Sequence, residues 1–70
     1  DVVIANINRN ILLDELAEYA LRLKSGGVLL LSGFYAADIP FLTAAAIPLG
    51  LAFETETHLR DWACIRLIKA

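Results

Sequence analysis

KSGGVLLLS (residues 24–32) decides the fold of this chain of 70 residues. Val28, Leu29, Leu30 and Leu31 follow one another without polar alternation, the character of a parallel strand covered on both faces. Gly26 and Gly27, just before it, supply the positive-φ stop that follows a helix C-terminus. Residues 11–24 read as that helix. Asp14, Glu15, Glu18 and Arg22 recur along one face at helical spacing, while Leu12, Leu13, Leu16, Ala20 and Leu23 fall elsewhere. Acids in its first turns and Lys24 in its last agree with the helix dipole, and Glu18 and Arg22 can pair at i, i+4. Ahead of the helix lies DVVIANINRN (residues 1–10), whose residues 2–5 form a second uninterrupted apolar run. Strand, helix and strand in this order make a crossover unit with two parallel strands.

Downstream, residues 33–36 (Gly-Phe-Tyr-Ala) read as a turn. Asp38 can cap a second helix with Pro40 in its first turn. Pro48 disfavours helical geometry at Ile47, so that helix ends near Ala46. Residues 51–58 and 62–69 read as strands, and the link of Leu59, Arg60 and Asp61 is short enough to require an antiparallel hairpin. The first of these strands alternates Phe53, Thr55 and Thr57 with Glu54, Glu56 and His58, as an edge strand with one polar face does. The second, beginning at Trp62, is apolar on both faces and reads as central. The expected order is β-α-β-α-β-β in a single α/β unit, with no repeat or linker.

Composition narrows the function classes. The chain is 59% hydrophobic and only 20% charged, with mean hydropathy +0.64, more apolar surface than so small a core hides. That points to part of a larger protein or to a protomer that associates. A net charge of −2 and a pI near 5.1 give no basic footprint for nucleic acid. The single cysteine, Cys64, allows no internal disulfide, has no metal-ligand spacing around it, and reads as a small buried hydrophobe. No signal-peptide pattern is present, and the longest uncharged run, residues 39–53, is too short for a membrane span and holds Pro40, Pro48 and Gly50. A reducing, cytoplasmic setting is the expectation.

The motifs are more specific than the topology. IANI (residues 4–7), LKSGG (23–27), LLLSGF (29–34) and DWACIRLIK (61–69), in that order, resemble the ribosomal protein L11 methyltransferases, the PrmA family. The resemblance extends over essentially the whole chain and implies the C-terminal half of a Rossmann-like methyltransferase sheet, with the cofactor-binding half and the substrate-recognition domain lying upstream. It implies S-adenosyl-L-methionine as cofactor, a ribosomal protein as substrate, and a fragment that is inactive alone. Two departures stand out: Ser25 occupies the place of the family's usual proline, and Pro48 falls where the family usually continues a helix.

By the same resemblance, Asn6 is the catalytic residue, facing both the cofactor methyl and the acceptor amine, and Ile7, Ser32, Gly33 and Phe34 border the acceptor. The residues themselves leave alternatives open. An asparagine at a strand end also serves as an Asx turn or cap, and Phe34 or Tyr35 serves as packing over the next helix. Asn8 and Asn10 read as turn and helix cap, Arg9 as a solvated loop residue or a contact for an acidic group. His58 reads as a surface residue far from the strand ends, Trp62 as core. No metal site is expected. Other readings are a same-fold methyltransferase for another protein or a small molecule, and a non-catalytic interaction module. The uncharged strand at residues 2–5 and the charge-free helix at 39–46 predict a homo-oligomer of this chain.

Overall fold

The computed structural model describes residues 2–6 and 8–70. Its elements run β1 (Val2–Asn6), α1 (Arg9–Arg22), β2 (Val28–Tyr35), α2 (Ile39–Ala46), β3 (Leu51–Leu59) and β4 (Trp62–Lys69), with short 3-10 turns at Ala36–Asp38 and Ile47–Leu49 flanking α2. The four strands form one mixed sheet in the order β1-β2-β4-β3. β1 and β2 are parallel, Val2 opposite Val28 and Asn6 opposite Ser32. β4 lies antiparallel between β2 and β3.

Local chemistry explains the boundaries. The Asn8 side chain accepts the Ile11 backbone N–H at 3.1 Å, capping α1 two residues earlier than its apolar pattern implies. Arg9 and Asn10 are therefore helical, no acid falls in the first turn, and the helix ends at Arg22 rather than Lys24. Of the two glycines that follow, only Gly26 adopts positive φ (84°). The Gly26 N–H donates to the Lys69 carbonyl at 2.7 Å, and the Lys69 N–H donates to the Gly27 carbonyl at 2.9 Å, so this turn is stitched to the end of β4. Helix α2 ends at Ala46, ahead of Pro48, and Gly50 turns the chain into β3 at φ 78°. Asp38 does not cap α2 by its side chain; one of its carboxylate oxygens accepts the Tyr35 backbone N–H at 3.1 Å instead.

Both helices lie on one face of the sheet. Leu12, Leu16, Ala20 and Leu23 with Ile39, Leu42 and Ala46 share a core with Ala5, Leu29, Leu31, Leu51, Ala63, Ile65 and Leu67. Each fully buried leucine contributes roughly 2 kcal/mol of apolar burial. Leu13, expected on the apolar side, is exposed. The opposite face of the sheet carries Val2, Ile4, Val28, Leu30 and Ile68, and its β1 residues are open to solvent, Val2 at 59% and Ile4 at 72%. β3 is exposed on both faces beyond Leu51, where its alternation predicts one buried face. It is an edge of the sheet, and α2 lies alongside Phe53 and Glu56 without burying them.

The segment at residues 33–35 differs from the expected turn. It continues β2, with a bulge between Ser32 and Phe34 in the pairing to β4, and Gly33 takes φ 90° there. The extra residue reverses the side-chain alternation. Phe34 therefore points to the helices and Tyr35 to the open face.

Candidate functional site: a cleft at the carboxyl ends of the parallel strands

The carboxyl ends of β1 and β2 meet the turn end of the β3–β4 hairpin. Antiparallel pairing requires this, because β4 starts beside the end of β2, Tyr35 opposite Trp62. The hairpin turn is Arg60 and Asp61, with Arg60 at φ 56°. The Asp61 carbonyl accepts the Ala36 N–H at 2.7 Å, holding the turn against the β2–α2 connection.

Register across the sheet sets a row of small polar side chains, one from each strand: Asn6 opposite Ser32, Ser32 opposite Cys64, Cys64 opposite Thr57. All four line an open cleft of about 580 Å³, completed by Asn8, Gly33, His58, Leu59, Trp62 and Ala63. Among the described residues, no Asp, Glu, Lys or Arg lines it. The cleft offers amide, hydroxyl and thiol groups beside apolar surface, a setting that orients a polar group by hydrogen bonds without adding charge.

The structure brings Asn6, Ser32 and Gly33 together here. Asn6 is exposed at the mouth, Ser32 half-buried beside it. Ile7 lies outside the described residues. Phe34 differs from expectation: the bulge sends its ring into the core, 1% exposed, so no aromatic face is left to meet a ligand. Tyr35 takes the exposed place at 53% and stacks on Trp62, itself 50% exposed, with ring centroids 4.6 Å apart and planes 20° apart. Trp62 is thus a cleft wall and not a core residue. Cys64 is half-buried at the cleft floor rather than packed away. Residue 58, expected far from the strand ends, stands at the cleft rim. Its pairing with buried Ala63 turns it towards the helix-covered face, where the imidazole bonds the Glu56 carboxylate.

A second, smaller hollow adjoins the cleft, lined by Asn8, Arg9, Asn10, Gly33, Phe34, Tyr35, Asp38 and Trp62. Arg9, the first residue of α1, is not a free loop residue. Its guanidinium pairs with Asp38 at 3.0 Å and lies 5.3 Å from the centre of the Phe41 ring. Thr57, Leu59, Trp62 and Cys64 line the cleft although the sequence marks none of them as a site residue, and Trp62 and Cys64 read there as buried. The signal was available in the short hairpin link, which forces residues 57–64 to the same end of the sheet as Asn6 once β4 pairs with β2. Among the described residues no group of three or more His, Cys, Asp or Glu is placed to hold a metal ion, and no helix is long and apolar enough to cross a membrane.

Comparison with known proteins shows the family. A family model described as ribosomal protein L11 methyltransferase (PrmA) matches residues 1–70. Among curated proteins, a ribosomal protein L11 methyltransferase of Porphyromonas gingivalis is 54% identical over 66 residues, covering 94% of this chain and 23% of the relative. One from Phocaeicola vulgatus is 46% identical over 68 residues, covering 97% and 24%. The chain thus spans about a quarter of the length of the curated relatives it matches. In fold, it is similar to the crystal structure of a ribosomal protein L11 methylase from Lactobacillus delbrueckii subsp. bulgaricus, with a TM-score of 0.88 over 99% of this chain and 36% of that one, at 21% identity.

Proposed function

The chain belongs to the ribosomal protein L11 methyltransferase (PrmA) family, and we propose that it is the C-terminal part of the catalytic domain of an S-adenosylmethionine-dependent N-methyltransferase. In this reading residues 1–70 are the second half of a Rossmann-like sheet, and the longer protein methylates lysine and α-amino groups of a ribosomal protein in the cytoplasm. One observation carries the reading: Asn6, at the carboxyl end of a parallel strand, opens onto a cleft that no Asp, Glu, Lys or Arg among the described residues lines. In open α/β sheets ligands bind beyond these strand ends.

The chemistry asks for such a group. S-adenosylmethionine, when bound, supplies an electrophilic methyl on a sulfonium. A lysine amine, with an ordinary pKa near 10.4, costs about 4–5 kcal/mol to present neutral at pH 7. Its lone pair must then be aimed. The Asn6 side-chain carbonyl can accept one N–H of the neutral amine and so direct the lone pair. An amide does this without the negative charge that would favour the unreactive ammonium, and among the described residues no carboxylate lines the cleft to restore that preference.

The donor set fits the methyl-acceptor side of a cofactor site: Asn6 would face both partners, while Ser32 and Gly33 would border the acceptor. Nothing in the sequence offers the glycine-rich loop that cradles the cofactor, so this chain by itself would be inactive. It would also associate with itself, through the unpaired edge of β1 or through α2, where Phe41 is exposed and the adjoining turn exposes Ile47. No contact with nucleic acid or membrane belongs to this reading. The test is incubation of the longer protein with methyl-labelled S-adenosylmethionine and purified ribosomal protein L11. Label in lysine or α-amine of that protein supports the reading; a folded, cofactor-binding enzyme that leaves it unlabelled refutes it.

A further inference from the structure

We propose that the Arg9–Asp38 ion pair is a positioning clasp that, through Tyr35 stacked on Trp62, fixes the Trp62 wall of the cleft relative to Asn6. The inference rests on the acceptor-cleft reading above and adds residues to it that the family motifs do not include.

The clasp joins the two connections that leave the parallel strands. Arg9 begins α1 three residues after Asn6, and Asp38 closes the turn after β2, 29 residues further along the chain. Each carboxylate oxygen of Asp38 has its own task. One accepts the Arg9 guanidinium at 3.0 Å; the other accepts the Tyr35 backbone N–H at 3.1 Å. The Asp38 side chain is only 15% exposed against 40% for Arg9, so the pair is less screened than an open surface bridge. Phe41 supports the guanidinium from α2.

Tyr35 in turn sets Trp62. The two are opposite each other in register, and the Ala36 N–H bond to Asp61 ties the same segment to the hairpin turn just before Trp62. Both rings are half-exposed, so core packing does not fix their rotamers; stacking on a fixed neighbour does. A chain of contacts thus runs from the segment carrying Asn6, through Arg9, Asp38 and the Tyr35 backbone, to the ring that borders the cleft. Releasing the clasp leaves the amide in place and lets the wall drift. That alters how an acceptor chain is held more than how its amine is aimed.

The test uses the longer enzyme and two readouts: the Michaelis constant for the ribosomal protein, and the NMR shifts of the Tyr35 ring protons, displaced by the Trp62 ring current. Arg9→Gln and Tyr35→Ala should each raise the acceptor KM about fivefold with the cofactor KM unchanged. The double variant should be no worse than Tyr35→Ala alone, because the two act in series. Tyr35→Phe, which keeps the ring, should recover what Tyr35→Ala loses. Arg9→Gln should also collapse the ring-current displacement, and Asp38→Asn should do the same if the arginine variant folds poorly. An unchanged acceptor KM in folded Arg9→Gln, or effects that add in the double variant, overturns the proposal. If the wild-type enzyme leaves ribosomal proteins unmethylated, the functional reading falls instead. The NMR arm then decides the clasp alone: displacement lost in Arg9→Gln sustains it, displacement retained overturns it.

Discussion

Gly33 decides which aromatic ring stacks on Trp62, the aromatic wall of the cleft. Its φ of 90° lets β2 bulge against β4, and the bulge exchanges the faces of Phe34 and Tyr35. A side chain at that position meets the steric cost of the left-handed half of the map, so Gly33→Ala should destabilise the chain by about 1–2 kcal/mol. Urea unfolding would read this as a lower midpoint at unchanged slope; an unshifted midpoint would mean that the bulge needs no glycine. The place of Asn6 at a strand end was legible from the sequence because that end is marked locally, by four apolar residues running into amides. The exchange of Phe34 for Tyr35 was not, because the bulge is set by pairing with Ala63 and Trp62, about thirty positions away. Trp62 was misread for a related reason: an apolar residue at the start of a central strand reads as core until the partner ring beside it is known.

The element boundaries follow the same division. The Pro48 stop is local chemistry and stands where the sequence puts it; the hairpin link is one residue shorter than expected, because Leu59 pairs with Trp62 and belongs to β3. The start of α1 shifted because the Asn8 cap outranked the onset of the leucine pattern. On the exposed face of α1, Tyr19 donates its hydroxyl to Glu15 at 2.7 Å. That hydrogen bond, with burial and the charges of Glu15 and Glu18 behind it, raises the phenol pKa above its ordinary 10.0. The folded state therefore holds the phenolic proton more tightly than the unfolded chain. The resulting stabilisation is complete below the unfolded value and is lost as pH rises through the folded one. The stability difference between wild type and Tyr19→Phe should accordingly shrink between about pH 8 and about pH 12. A difference that stays constant over that range would show that the bond does not favour the protonated form.

At the scale of the whole molecule, the two helices cover one face of the sheet and leave Val2 and Ile4 open on the other, beside Val28, Leu30 and Ile68. β1 also has one free edge among the described strands. Apolar surface of this kind, on a chain that is 59% hydrophobic, drives association. Sedimentation equilibrium of the 70-residue chain should show a mean mass that rises with concentration, and Ile4→Lys should reduce it. A clean monomer at high concentration would contradict this account of the surface. The overall order of strands and helices was readable because each element carries its own period and its own stop. Which sheet face stays open was not, since residues 2–5 and 28–31 are apolar without alternation and mark neither face.

The central claim is that Asn6 aims the acceptor amine, and the most direct measurement is the single-turnover rate of methyl transfer from S-adenosylmethionine to ribosomal protein L11 in the longer enzyme carrying Asn6→Ala. The account predicts a fall of about a hundredfold with both substrates still bound and the fold intact. A rate equal to that of the wild type would contradict it.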